Sequence, residues 1–231
     1  MKALLTNDDG VDAPGLQMLH ELANQLGIPT VVAPHTALSG CSHQVTTDRP
    51  LTVRECTSSR YAVDGTSSDC VRLGLMHLAP DVDWVLSGIN DGGNLGVDVL
   101  MSGTVGAARE AALLGKKAIA LSQYRRRDLP FEWSWARDLA ASVLETILRR
   151  PLPPRCFWNV NLPVSYQGKG PLPDIVFCPL DPHPLPVRYE VRDGAFHYRS
   201  NYQARARRAG SDVDICFSGR ITVTLLSVDS A

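Results

Sequence analysis

Short apolar runs alternate with amphipathic stretches through the first two-thirds of this chain, and that alternation narrows its folds to one class. Residues 3–5 read as a buried strand that starts almost at the first residue. Pro14 then stands where the first turn of a helix tolerates it. Leu16, Leu19, Leu22, Ala23 and Leu26 follow at helical spacing, and Gly27 closes that helix. Further strands are predicted over 30–33, 61–63, 84–87, 118–121, 157–160 and 221–226, with residues 44–53 also extended. Thr66-Ser67-Ser68-Asp69 matches a capping box and opens a helix running to about His77. Two more helices are expected over 104–114 and 133–150. Apolar strands separated by helices belong in an α/β fold, a mostly parallel sheet with helices on both faces.

The character changes after Pro163. A proline-rich segment follows, and residues 188–198 read as a β-hairpin around Asp193-Gly194. The expected organisation is a core over 1–163, a proline-rich linker with a projecting arm over 164–209 that either packs on a partner subunit or lies as a simple surface flap, and a C-terminal strand over 210–231 that returns to the core. The arginines at 125–127 and at 205, 207 and 208 read as solvated faces, and Arg109 and Glu110 as a pair beside their own helix.

With 23 basic against 24 acidic residues, the chain has no global field to draw in a nucleic-acid polymer or an anionic membrane. No apolar run approaches the length of a membrane span, and no basic-then-apolar leader precedes the first strand. The six cysteines are scattered, without a CxxC pair or zinc-type spacing. Free thiols in a reducing cytoplasm are the natural expectation.

The first strand ends abruptly in Thr6-Asn7-Asp8-Asp9-Gly10. Adjacent carboxylates repel each other and lose hydration if a site closes over them. A divalent cation compensates such a pair, and Mg²⁺ is commonly held by one or two carboxylates plus substrate phosphate. A polar turn accounts for the same five residues, since Asn, Asp and Gly are ordinary turn formers. In open parallel sheets, ligands bind outside the carboxyl ends of the strands, at a switch point in strand order. Three polar loops follow strand ends here, over 7–12, 34–43 and 88–103, and they converge on one crevice if their strands are neighbours.

The third loop is the richest. Gly88, Gly92, Gly93 and Gly96 permit close backbone approach to a ligand, and Asn90 and Asn94 add neutral oxygens and amide donors. Ser102-Gly103-Thr104 then opens a helix whose free N–H groups and positive end can receive phosphate oxygens, although Ser102 and Thr104 also serve as plain caps. Phosphate together with metal points to phosphoryl transfer to water, with the cation as Lewis acid. His43 could hydrogen-bond substrate or act as acid or base.

Thr6-Asn7-Asp8-Asp9-Gly10, with Ala13-Pro14-Gly15 after it, resembles the opening of the SurE survival-protein family of nucleotidases. The likeness continues in Val32-Ala33-Pro34 with Ser39-Gly40, and in Val63-Asp64-Gly65-Thr66 with Asp69-Cys70-Val71. It extends to Ser87-Gly88-Ile89-Asn90 with Gly92 and Asn94, to residues 102–110, and to Trp158-Asn159-Val160-Asn161-Leu162-Pro163. The resemblance implies a Rossmann-like phosphomonoesterase acting on nucleoside 5′- and 3′-monophosphates, with short polyphosphate as a further substrate. It implies one divalent metal ion, Mg²⁺ or Mn²⁺, on Asp8, Asp9, Ser39 and Asn90, and phosphate contacts at Asn94, Ser102, Gly103 and Thr104. His43 joins the substrate contacts, and Asp8, Asp9, Asn94 and Ser102 form the catalytic set. A homodimer or homotetramer with projecting arms is implied as well. His35 and Met101 depart from the family pattern, as does the 41–47 loop, and they bear on base preference rather than on the metal ligands.

Two readings from other classes use the same residues. An aspartyl-phosphate phosphatase needs two Asp separated by one residue, and the adjacency of Asp8 and Asp9 argues against it. A non-catalytic nucleotide or phosphate sensor needs no turnover, but retention of every expected ligand speaks against it.

Overall fold

The computed structural model describes residues 1–126, 128–164, 166 and 168–230, so Arg127 lies outside the described residues. Its strands are β1 (Lys2–Thr6), β2 (Ile28–Pro34), β3 (Val53–Thr57), β4 (Arg60–Val63), β5 (Trp84–Asp91), β6 (Lys117–Gln123), β7 (Cys156–Leu162), β8 (Ile175–Phe177), β9 (Tyr189–Arg192), β10 (Ala195–Tyr198) and β11 (Ile221–Ser227). The helices are α1 (Pro14–Leu26), α2 (Ser67–Leu73), α3 (Gly103–Leu113), α4 (Trp133–Ile147) and α5 (Asp212–Phe217).

Among the described residues, nine strands form one sheet in the order β3-β4-β2-β1-β5-β6-β7-β11-β8. The six strands from β4 to β7 run parallel, while β3 and β11 are antiparallel to their inner neighbours. The chain winds outward from β1 through β2 to β4, then resumes on the other side of β1 at β5. That reversal places a switch point at the carboxyl ends of β1 and β5.

Alternation along β1 sends neighbouring side chains to opposite faces. Ala3 and Leu5 pack with Leu16, Leu19 and Leu22 of α1 and with Leu139 and Val143 of α4. Leu4 faces the other way, onto the layer that holds Val71 of α2 and Ala107, Ala108 and Ala111 of α3. A sheet buried on both faces explains why the parallel strands are largely apolar.

Local signals perform as expected where they act alone. Pro14 opens α1 and Gly27 closes it, its N–H donating to Ala23 O at 2.9 Å. The Thr66 hydroxyl accepts from Asp69 N while the Asp69 carboxylate accepts from Thr66 N, a complete capping box, and α2 continues as a wider turn over Gly74–Leu78. The hairpin pairs β9 with β10 around Asp193-Gly194.

Tertiary context corrects four expectations. The strand predicted over 44–53 begins only at Val53, because side-chain bonds occupy the residues before it. Thr46 donates through both its N–H and its hydroxyl to Asp69, and Gln44 O accepts from the Thr66 hydroxyl. β5 extends to Asp91, past the expected end at 87, with a shift of register against β6 between Ser87 and Asn90. The proline-rich segment contributes β8, which pairs with the edge strand β11, and α5 forms where no helix was expected.

Arg205 is not on a solvated face. Its guanidinium is buried and pairs with Asp98 at 3.1 Å, and the Tyr202 hydroxyl donates to the same carboxylate at 2.5 Å. Burial and the Asp98 charge push the Tyr202 phenol far above its ordinary value. Asp212 accepts from Gly96 N and from Asp181 N, both at 2.7 Å. The C-terminal segment thus grips the loop between β5 and α3. Removing one partner of a buried ion pair strands the other charge, at a cost of about 3–5 kcal/mol. Arg205→Ala is therefore expected to lower unfolding stability by about that amount, read as a reduced midpoint with unchanged slope in urea denaturation.

Candidate active site

β2, β1 and β5 are neighbours in that order, so the three polar loops meet at one end of the sheet. Val11 N donates to Pro34 O at 2.7 Å and Leu38 N to Asp8 O at 2.8 Å, tying the first loop to the second. Ser42 ties the second loop to the third, its N–H donating to Met101 O at 3.1 Å and its hydroxyl to Leu100 O at 2.5 Å. Asn7 closes the turn after β1 by exchanging bonds with Gly10, which has a φ of 106°.

Asp8 is buried and lies against the first turn of α3. The Thr104 hydroxyl donates to its Oδ1, and the backbone N–H groups of Gly103 and Thr104 also face the carboxylate. A Cβ on Gly103 would stand 2.8 Å from Asp8 Oδ2, so only glycine admits this approach without a shift. Gly106, one turn on, has the same role toward the second loop, because a Cβ there would meet Ser42 O at 2.5 Å. Burial pushes the Asp8 carboxyl above its ordinary value, and the Thr104 hydroxyl and backbone donors only partly offset this.

Asp9 is half-buried, and its Oδ2 accepts from Asp91 N at 3.1 Å. Burial, followed by the charges of Asp8 and Asp91, pushes its carboxyl up to about 6 against the pull of that bond. Among the described residues no basic side chain pairs with Asp8 or Asp9. Two carboxylates raised by burial and left without a cationic partner are the donor set that a hard divalent cation satisfies. Asn90 directly precedes Asp91, whose N–H is bound to Asp9; its amide N–H donates to Gly92 O at 2.8 Å, which leaves its carbonyl oxygen uncommitted. Ser39 follows Leu38, whose N–H is bound to Asp8, and is exposed on the second loop.

The donor side is built on the same loop. Ser102 caps α3, its hydroxyl oxygen accepting from Val105 N at 3.1 Å, which leaves its O–H to donate elsewhere. Asn94 is buried in a cage of amides. Its N–H donates to Asn161 Oδ1 at 2.7 Å, its carbonyl accepts from Asn159 and Asn161 at 2.9 and 3.0 Å, and its side-chain amide donates to Ser122 Oγ at 2.7 Å. The second amide hydrogen of Asn94 has no partner among the described residues. The Thr104 hydroxyl, by contrast, is committed to Asp8.

His43 meets a buried glutamate. Its Nε2 lies 2.6 Å from Glu110 Oε2, and Arg72 Nε donates to Oε1 at 2.6 Å. Burial pushes the Glu110 carboxyl up, but the bonds from His43 and Arg72 outweigh it and hold the group below its ordinary value. Glu110 therefore does not pair with Arg109, whose guanidinium donates to Val99 O at 3.0 Å.

Sequence reasoning missed the bracing residues Asn159, Asn161, Ser122 and Asp212. One signal was present: Asn159 and Asn161 alternate on an otherwise apolar strand, which puts two amides on one buried face.

Fold and loop geometry together define a doubly wound α/β protein with an adjacent carboxylate pair at its switch point. The family model described as Survival protein SurE matches residues 3–180, and the chain belongs to that family. It is 49% identical over 228 residues to a Synechocystis sp. protein named as a candidate 5′-nucleotidase, covering 99% of this chain and 100% of that one. Over 244 residues it is 45% identical to a protein of Methylobacterium radiotolerans named 5′-nucleotidase SurE, covering 99% and 94%. The crystal structure of the SurE protein from Aquifex aeolicus superposes with a TM-score of 0.86 at 30% identity, covering 100% of this chain and 95% of that one.

The amide cage yields a graded test. Asn161→Ala leaves the buried Asn94 N–H without an acceptor, a loss of about 1–3 kcal/mol. Asn159→Ala removes only one of two donors to the Asn94 carbonyl and should cost less. Chemical denaturation of the two variants should give that order.

Proposed function

We propose that this chain is a metal-dependent phosphomonoesterase that hydrolyses nucleoside 5′- and 3′-monophosphates to nucleoside and phosphate, with short polyphosphate as a further substrate. The observation that carries the reading is the adjacent Asp8–Asp9 pair without a basic partner, Asp8 buried against the first turn of α3 and Asp9 half-buried beside Asp91 N. Family membership and the 5′-nucleotidase names of the relatives support the same chemistry. Asp8, Asp9, Ser39 and Asn90 would hold one divalent cation, Mg²⁺ or Mn²⁺. When bound, that ion supplies charge neutralisation and Lewis-acid polarisation of the phosphoryl oxygen.

The chain's own residues do the rest. Ser102 O–H and the free amide hydrogen of Asn94 donate to the equatorial phosphoryl oxygens, where charge must be stabilised as water attacks, and the positive end of α3 adds its dipole. Thr104 keeps Asp8 oriented, and Gly103 lets the helix end approach it. Glu110 holds His43, and with it the second loop, against α3, and His43 would contact substrate from there. Such fixed geometry is what converts binding into orientation.

The arm formed by β9 and β10 exposes Val191 and Phe196 on one face, which supports docking on a second copy in a homodimer or homotetramer. Among the described residues no helix is long and apolar enough to cross a membrane. Six unpaired cysteines fit the reducing cytoplasm, where we place the protein.

Phosphate release from nucleoside 5′- and 3′-monophosphates with Mg²⁺, Mn²⁺ or EDTA tests the reading. Metal-dependent release is the expected result, and equilibrium nucleotide binding without release from any of them would instead mark a sensor. Asp8→Asn should lower turnover by about two orders of magnitude or more and weaken metal affinity measured by calorimetry. Ser102→Ala should raise KM or lower kcat while metal affinity stays within about twofold of wild type; loss of metal binding there would move Ser102 to the wrong side of the site.

A further inference from the structure

Arg125, expected from the sequence on a solvated face, is held in a fixed position that no step above uses. β6 pairs with β5 so that Gln123 lies beside Asp91, which brings Arg125, two residues on, to the same end of β5. There Arg125 Nη1 donates to Asp91 Oδ1 at 2.9 Å. The guanidinium also stands over the Phe131 ring at 3.7 Å, and Phe131 packs edge-on against Trp133 at 5.1 Å. A guanidinium stacked on an aromatic plane and bonded to a carboxylate has little freedom left. Arg126 turns away to Asp128, at 2.5 Å.

Asp91 matters because of its neighbours. Its N–H holds Asp9 Oδ2 at 3.1 Å, and it directly follows Asn90. A third carboxylate therefore stands at the rim of the site, close enough for its charge to act on Asp9. The chain leaves Asp8 and Asp9 without a basic partner, yet it gives one to Asp91. Electrostatics supplies a reason for the difference. Two carboxylates and one divalent ion leave no net charge to repel an anionic substrate. A bare third carboxylate would strengthen the hold on the ion and leave the loaded site negative toward phosphate.

We propose that Arg125 is a positioning residue that acts through Asp91: it cancels the third carboxylate, and so trades cation affinity for phosphate affinity. The inference rests on the metal and phosphate reading given above. It extends the site's electrostatic design to a residue that touches neither ligand.

Calorimetric titration with Mn²⁺ alone, and of the Mn²⁺-loaded protein with inorganic phosphate, tests it without turnover. At low ionic strength Arg125→Ala should bind Mn²⁺ about tenfold more tightly and phosphate about tenfold more weakly. Arg125→Lys keeps the charge and should stay within about threefold of wild type for both ligands. The double variant Asp91→Asn, Arg125→Ala removes charge and countercharge together and should return both affinities to a similar range, about threefold or less from wild type. Damage to the loop would weaken both ligands, so opposite shifts that the double variant cancels are the signature. Overturning results are an Arg125→Ala protein with unchanged affinities, one in which both move the same way, or a double variant that keeps the shifts of Arg125→Ala. Each of these leaves the metal reading standing. Wild type that binds no Mn²⁺ overturns the metal reading and this inference with it.

Discussion

Everything near the switch point answers to two carboxylates set side by side at the end of a central strand. Placing Asp8 and Asp9 there costs desolvation and mutual repulsion, and no basic side chain among the described residues relieves either. The protein lowers that cost with neutral donors. Thr104 and the α3 backbone serve Asp8, while Asp91 N serves Asp9. Neutral donors orient a carboxylate without cancelling its charge, so the site retains a field for a cation. A lysine in the same place would have stabilised the fold and filled the site with its own ammonium.

Rigidity around that pair comes from buried polar bonds rather than from apolar packing alone. The loop carrying Asn90, Asn94 and Ser102 is glycine-rich and would be loose by itself. Asn159 and Asn161 pin it from β7, Asp212 pins it at Gly96, and Arg205 pins it at Asp98. Each of these anchors lies more than 60 residues away in sequence. Buried polar bonds of this kind favour one arrangement, because a slip strands a buried donor or charge. The C-terminal segment is therefore a structural component of the site and not an appendage to it.

Which parts were legible in the sequence follows from the range of the interactions involved. Pro14 and Gly27, the Thr66–Asp69 box and the Asp193-Gly194 turn act within a few residues, and each was readable directly. Strand order is non-local, so convergence of the three loops could be stated only conditionally until β2, β1 and β5 were seen side by side. Arg205 misled because an arginine in a polar, proline-rich neighbourhood ordinarily faces water, and only Asp98, 107 residues away, brings it inside. Residues 44–52 misled in the opposite sense, since their β-prone composition is overruled by bonds to Asp69 and Thr66. Helix α5 has six residues, too few to show periodicity, and its identity lies in Asp212 bonding outward rather than in an apolar stripe.

On the proposed function, the two halves of the crevice are useful only together. Ser102, Asn94 and the α3 terminus attract an anion, yet the same anion approaches Asp8 and Asp9, whose charges repel it. The acceptor half would attract a cation, and the two carboxylates and two neutral oxygens proposed to hold it would leave coordination positions for ligands from outside the chain. Phosphate supplies such a ligand, and the cation removes the repulsion that keeps phosphate away. Each therefore raises the affinity for the other by the same factor, as linkage requires. A site split in this way stays open to water when either component is missing, and it assembles its full set of contacts only around a phosphate ester with its counter-ion.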